Sequence, residues 1–342
     1  MINSSAESRF VSSHGLSNGN AIPPTLIEPL GSNRRLVELM ATVTGEPIEI
    51  VRRRLREEET RLGTNVRREI QSRGIEPHVW SEQLLGFYRE TNAFLYESVS
   101  WSRYPLKLKM RNWIARLLIR KFARSVDVLV FGDGPGFDSL HLAQAGHAVT
   151  YFEVSGYGSK FAEQIFQSSH SSVRLTTDTQ GYGEASFDAI LCLDVLEHLP
   201  DPTQAVKDFS HWLRPGGLLF VSAPFYLVTP DYSTHLKSNR RFSGDLRNLF
   251  HPFGFRLFDG DPMWLPMVLQ KEPVTPESPQ VGRFKRHFVR LTGGFLMPGR
   301  HTSAPYALAA RFLSRPLSHW RQDLERWELQ EPEVKHTSRN AE

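Results

Sequence analysis

The sequence predicts an α/β protein, a doubly wound and mostly parallel sheet preceded by a helical region. Three observations predict it. From Arg124 onward short β-rich runs (VDVLVF, AVTYFE, VRLTT, FDAILCL and LLFVSAP) alternate with helical stretches, as expected of parallel strands joined by crossover helices. The first of these runs ends in a glycine-rich turn, GDGPG, that opens a helical pattern. Upstream, from Arg34 to Val99, apolar residues recur at helical spacing.

Taken in order, residues 1–32 are rich in Ser, Asn, Gly and Pro and carry no apolar period, so they cannot bury enough surface to offset the entropy of ordering and are expected to be a flexible tail. Residues 33–124 are the helical region. LVELMATVTG ends at Gly45, PIEIVRRRLREEETRLG starts behind a proline, and PHVWSEQLLGFYRETNAFLYESV keeps the helical period. LKLKMRNWIARLLIRKFA then sets Leu106, Met110, Trp113, Leu117 and Leu118 on one side and Arg116, Arg120 and Arg124 on another, an amphipathic basic helix. The sheet domain is expected over 125–315, with FRLFDG a further strand, EPVTPESPQ a proline-rich loop and PYALAARFL a last strand or helix. Over 316–342 a helix, LSHWRQDLERWELQ, precedes a polar end.

Composition excludes several classes. With 40% hydrophobic and 23% charged residues the chain is an ordinary globular one. Its single cysteine, Cys192, excludes a disulfide framework or a cysteine metal cluster, and in AILCL it reads as a buried strand residue. The N-terminus lacks the apolar core of a secretory signal, and no apolar run approaches the roughly 20 residues that span a bilayer, so the expected location is the cytoplasm. The net charge of +4 is mild, yet Ser98–Val126 and Ser278–Gln322 each hold eight Lys or Arg and no acid. The plain expectation is a solvated helix face or a lid over the sheet. Trp101, Tyr104 and Trp113 beside the first segment keep open a peripheral contact with anionic lipid. No nucleic acid partner is expected, because no recognised binding motif accompanies the arginines.

Gly132, Gly134 and Gly136 let the backbone turn tightly and approach a ligand without Cβ obstruction, although such turns also occur with no ligand. A dinucleotide fingerprint needs a further glycine where this chain has Phe137, and no GK[ST] follows, which disfavours NAD and FAD and excludes a phosphate-cradling loop. Glu153 ends the next strand, where a carboxylate can accept from two ribose hydroxyls. Asp178, just past the third strand, is either an acceptor for an adenine amino group or a turn residue.

Together with SFDAILCLDVLEHLPDP and LRPGGLLFVSAPF, these residues resemble the motif series of the class I, Rossmann-like S-adenosylmethionine-dependent methyltransferases, particularly the group that includes ubiquinone-pathway O-methyltransferases. The resemblance covers roughly residues 126–260. It implies that Gly132–Gly136 hold the methionine part of the cofactor, that Glu153 holds its ribose and Asp178 faces its adenine, and that Asp194–Leu199 line the site beside the sulfonium. RPGG matches Arg214–Gly217, while His235 and Phe242 fall in the order of the substrate-side segment. One departure matters: the family usually carries an acid two residues before the first glycine, where it helps hold the cofactor's amino group, and this chain has Val130. Asp133, inside the loop, is the nearest acid to compensate. The (D/N)PPY tetrad of base N-methylation is absent, with DVLE in its place.

A sulfonium is already an activated leaving group, so the protein's main task is to align an acceptor with the methyl group and exclude water. For a hydroxyl acceptor a base of near-neutral pKa helps, and His198 and His235 are the candidates. Asp194, Glu197 and His198, spaced to share one helical turn, would with His235 suit a divalent cation that acidifies the acceptor. Metal-using relatives show such an arrangement and others with the same text need none, so the first expectation is a metal-free site. The sequence thus reads as a methyltransferase of a small-molecule or lipid-linked acceptor, with an O-methyl product first. The alternative is a non-catalytic module that keeps the fold and offers its basic helices to a partner or membrane surface, which Val130 favours and the intact DVLEHL and His235 oppose.

Overall fold

The structure, a computed structural model, describes residues 33–273 apart from 104, 155, 226, 243–248 and 261–265. The expected tail 1–32, Tyr104, the basic segment 278–322, the PYALAARFL element and the region 316–342 lie outside the described residues.

Among the described residues six helices come first: α1 (Asn33–Thr44), α2 (Ile48–Thr60), α3 (Thr64–Ser72), α4 (Glu82–Glu90), α5 (Ala93–Ser102) and α6 (Pro105–Phe122). The run of helical period over 77–99 holds two helices. Ser81 caps α4 by accepting from the Leu84 amide at 3.1 Å, and Thr91 is extended (ψ 140°), its hydroxyl accepting from the Ala93 amide at 3.0 Å. A side chain that satisfies the first amides of the next helix ends the previous one.

The sheet starts at Asp127. Strands β1 (Asp127–Phe131), β2 (Ala148–Phe152), β3 (Val173–Thr176), β4 (Phe187–Leu193), β5 (Leu213–Ser222), β6 (Phe255–Gly260) and β7 (Met267–Lys271) lie in the order β3-β2-β1-β4-β5-β7-β6, joined by α7 (Phe137–Gln144), α8 (Tyr157–Ser168) and α9 (Pro202–Trp212). The first five strands are parallel, and β7 is antiparallel between β5 and β6. The strand at 267–271 is not among those that the sequence pattern predicts. Its signal is five residues long, and only pairing on both sides makes it a strand.

Strand alternation explains the two layers. Leu129, Ile190, Cys192, Leu219 and Val221 pack with Phe209 and Trp212 of α9. Val128, Val130, Leu191, Leu218 and Phe220 point the other way, against Met110, Ile114, Leu117 and Leu118 of α6. Both faces of β4 are buried, as its uninterrupted apolar text requires. Cys192 is buried there, as expected. A third cluster joins Leu36, Met40, Val51, Leu55, Leu95 and Val99 of the helical region to Phe137, Leu140, Phe161 and Ile165 of α7 and α8. The helices before the sheet therefore pack on α7 and α8.

Candidate active site

The turn after β1 needs its glycines for two reasons. Gly132, Gly134 and Gly136 have φ of +75°, +60° and +80°, the left-handed region that side chains with a Cβ disfavour. A Cβ on Gly132 would stand 2.5 Å from Val195, and one on Gly136 2.7 Å from Ala162 and Phe166. Gly134 is different: its missing Cβ would meet Ser98 of α5 at 3.6 Å, an ordinary van der Waals contact, so the loop lies directly under the helical region. Its amide donates to Glu153 Oε2 at 2.7 Å, and the Val154 amide donates to Oε1 at 2.9 Å. Burial nevertheless pushes the Glu153 carboxyl up to about 7. A half-buried carboxylate with one backbone donor per oxygen keeps lone pairs for ribose hydroxyls, so the residues fit a nucleoside.

Asp133 does not face that crevice. Its carboxylate accepts from the amides of Asp138 (3.1 Å) and Ser139 (2.7 Å), capping the first turn of α7. The expectation that it stands in for the acid missing at Val130 is therefore corrected. Val130 itself is 2% exposed and belongs to the core beneath α6. Charge at this end of the site comes from elsewhere. Asp194, left-handed at φ +61°, accepts from Ser222 Oγ (2.8 Å), Trp101 Nε1 (2.9 Å) and Lys107 Nζ (3.3 Å). Lys107, 5% exposed, also approaches Asp138 at 3.7 Å, and Arg111 bonds Asp138 through Nε and the Ser102 carbonyl at 2.6 Å. These two cations of the acid-free segment are thus buried ion-pair partners, and Trp101 is a hydrogen-bond donor at the site. Arg116, Arg120 and Arg124 are exposed, as the helical pattern predicts.

Beyond Asp194 a single helical turn, Leu196–His198, presents the acceptor-side residues. Glu197 is 1% exposed and neither of its oxygens has a hydrogen-bond partner. Its Oε1 lies 3.9 Å from His198 Nε2 and 4.0 Å from His235 Nε2, with the two imidazoles edge to face at 4.7 Å. Tyr88 Oη stands 3.1 Å from His198 Nδ1. Burial, with Asp194 nearby, raises Glu197 well above the usual carboxylate range; burial lowers His198 to about 4 and His235 well below its ordinary value. Burial therefore disfavours the charged form of all three groups.

These three residues offer ligand atoms all within 4.8 Å of one another, and an orphaned carboxylate with two imidazole nitrogens is a donor set that fits a divalent cation. Asp194 is not part of it, because its oxygens are taken by Ser222, Trp101 and Lys107, which corrects the four-residue set expected from the spacing. Asp178 is exposed just past β3, and its Oδ1 accepts from the Gln180 amide at 2.8 Å, a turn-forming bond. Tyr88, Ser98, Trp101 and Lys107 were not foreseen as site residues. Ser98, Trp101 and Lys107 leave only the acid-free stretch and its aromatics as a trace in the text, and Tyr88, on α4, leaves none.

The sheet order, the glycine turn after β1 and the acid ending β2 define a class I, S-adenosylmethionine-type methyltransferase fold. Residues 129–221 match the family model described as a methyltransferase domain. A ubiquinone biosynthesis O-methyltransferase of Xylella fastidiosa is 35% identical over 123 residues, 34% of this chain and 47% of that protein. One from Xanthomonas oryzae is 35% identical over 106 residues, 29% of this chain and 42% of its own. The chain thus spans about half the length of the curated relatives it matches. Among solved structures, a Burkholderia thailandensis 1,6-didemethyltoxoflavin-N1-methyltransferase aligns over 57% of this chain and 92% of its own, at 19% identity and a TM-score of 0.41.

Proposed function

We propose that this protein transfers the methyl group of S-adenosylmethionine to a hydroxyl of a small-molecule or lipid-linked acceptor. One observation carries the reading: the turn that leaves β4 packs Val195 against Gly132 of the cofactor loop and, three residues on, sets His198 beside Tyr88, Glu197 and His235. Cofactor loop and proton acceptors are therefore neighbours. S-adenosylmethionine supplies a methyl group on a sulfonium that leaves as a neutral thioether without acid assistance. Gly134 and Glu153 would hold its nucleoside, Asp178 would lie toward its adenine and Asp194 toward its methionine part. Methyl transfer makes the acceptor hydroxyl strongly acidic as the bond to its oxygen forms, so His198 or His235 can take its proton late in the transfer although burial weakens both as bases, and helices α4 and α5 lie over the site. The name carried by the curated relatives supports an oxygen acceptor.

A second reading concerns the same three side chains. Both oxygens of the buried Glu197 lack hydrogen bonds, which favours Glu197, His198 and His235 holding a divalent cation that lowers the pKa of the acceptor hydroxyl. The proposed location is the cytoplasm. Arg116, Ile119 and Arg120, exposed along α6, are the proposed peripheral contact with anionic lipid. Among the described residues no helix is long and apolar enough to cross a membrane.

Calorimetric titration with S-adenosylmethionine and S-adenosylhomocysteine tests the cofactor assignment. Binding is expected in the wild type and its loss in Gly134→Arg, with a decrease of about tenfold or more in Glu153→Ala. A folded wild type that binds neither ligand, with or without magnesium or zinc, would leave the partner-binding module as the better reading.

A further inference from the structure

His235 sits in a segment with little regular structure, yet its place is set from two directions. His78, in the turn between α3 and α4, has φ +67°, and its amide donates to the Ser233 carbonyl at 2.8 Å while the Lys237 amide donates to the His78 carbonyl at 3.0 Å. The His78 ring closes this clasp, with Nδ1 2.9 Å from the His235 backbone carbonyl. A carbonyl only accepts, so His78 carries its proton on Nδ1. On the other side, Asn239 is 1% exposed and its Nδ2 lies within reach of three carbonyls of the turn after β4, those of Leu196 (3.4 Å), Glu197 (3.2 Å) and Leu199 (2.8 Å). Three acceptors around one amide fix which end of it faces them. The Leu236 amide also donates to the Glu197 carbonyl at 3.0 Å.

Resting on the functional reading above, we propose that His78 and Asn239 are the positioning residues of the acceptor side. Asn239 holds the turn that carries Glu197 and His198, His78 holds the backbone that carries His235, and together they set the spacing of about 4 Å between the carboxyl and the two imidazoles. Neither touches the reacting atoms. His78 comes from the helical region, which makes that region part of the site's geometry as well as its cover. Groups placed this way commonly change turnover by about 10–100-fold without changing cofactor affinity.

The test uses full-length protein labelled with nitrogen-15 histidine at about pH 8, where ordinary imidazole is neutral. Ring signals of His198 and His235 are assigned by His198→Gln and His235→Gln. His78→Leu is expected to shift or broaden the His235 signals while those of His147 and the affinity for S-adenosylhomocysteine stay as in the wild type. His78→Asn is expected to restore the His235 signals, because the asparagine Nδ2 replaces the lost donor and asparagine accepts a positive φ. Asn239→Asp, of equal size but with an acceptor in place of the donor, is expected to move the His198 signals. His235 signals unchanged in His78→Leu, or moved equally in Leu and Asn variants, would overturn the positioning role; should Asn239→Asp fail to fold, the His78 pair alone decides. Once an acceptor is found, the same variants should lower kcat with KM for S-adenosylmethionine unchanged. Full turnover in His198→Gln and His235→Gln would instead remove the functional reading and leave the ring signals to report the geometry.

Discussion

His147 shows at the scale of one residue how burial becomes a pH response. The side chain stands just ahead of β2, 6% exposed, with neither ring nitrogen hydrogen-bonded, and burial alone pushes its pKa down to about 4. Unfolded, a histidine titrates near 6.5, so between that value and about 4 the unfolded chain binds a proton that the folded one refuses. The stability tied to this residue is therefore complete above about pH 6.5 and is lost as pH falls toward 4, on the order of 3 kcal/mol in all. His147→Leu keeps the apolar packing and removes the titration. Urea unfolding at about pH 7.5 and pH 5 should show the wild type losing more stability than the variant between the two; equal losses would mean that the imidazole reaches water in the folded protein. At the same scale Glu153 was legible as a strand-end acid, while the inward turn of Asp133 was not, since a three-letter spacing says nothing of where a carboxylate points.

Helix α6 carries the clearest element-scale consequence. Its apolar side lies on the sheet, its exposed side holds Arg116 and Arg120, and its first turns bring Lys107 to Asp138 and Asp194 and Arg111 to Asp138. Arg111→Met would leave Asp138 buried with Lys107 at 3.7 Å as its remaining cation, and removing one partner of a buried pair costs about 3–5 kcal/mol. We expect a loss near the lower end, read from the urea midpoint, and a loss below about 1 kcal/mol would show that Lys107 alone satisfies the carboxylate. The amphipathic period of α6 was readable because it follows from 3.6 residues per turn. That two of its cations point inward was not readable, because their partners Asp138 and Asp194 lie 27 and 87 residues away. The same limit explains β7, whose short run becomes a strand only between β5 and β6, and the division at Thr91, which is set by a side-chain bond inside a continuous apolar period. By contrast β1, β2 and β4, the glycine turn and the Glu197–His198 pair were legible, because each is local: a strand's text, a backbone that needs glycine, neighbours on one turn.

For the whole molecule the decisive fact is a shared core. Phe137, Leu140, Phe161 and Ile165 of α7 and α8 are covered by Leu36, Met40, Val51, Leu55 and Leu95, so the sheet layer is finished by helices that precede it in the chain. Uncovering those four side chains would cost about 6–12 kcal/mol at about 1.5–3 kcal/mol each, as much as the whole stability of an ordinary domain. The site obeys the same arrangement, since Tyr88, Ser98, Trp101 and Lys107 come from the helical region while the glycine loop, Glu153 and the Glu197–His198 turn come from the sheet. Helical region and sheet should therefore unfold in one transition. Near-ultraviolet circular dichroism, which follows the aromatic packing, and far-ultraviolet circular dichroism, which follows the helices, should give coincident melting curves, both moved upward together by S-adenosylhomocysteine if the crevice between them is its site. A chain starting at residue 125 should lack fixed aromatic packing and bind hydrophobic dyes. A separate early transition from the helical region, or a truncated chain that melts cooperatively, would show that the shared cluster contributes far less than its burial indicates.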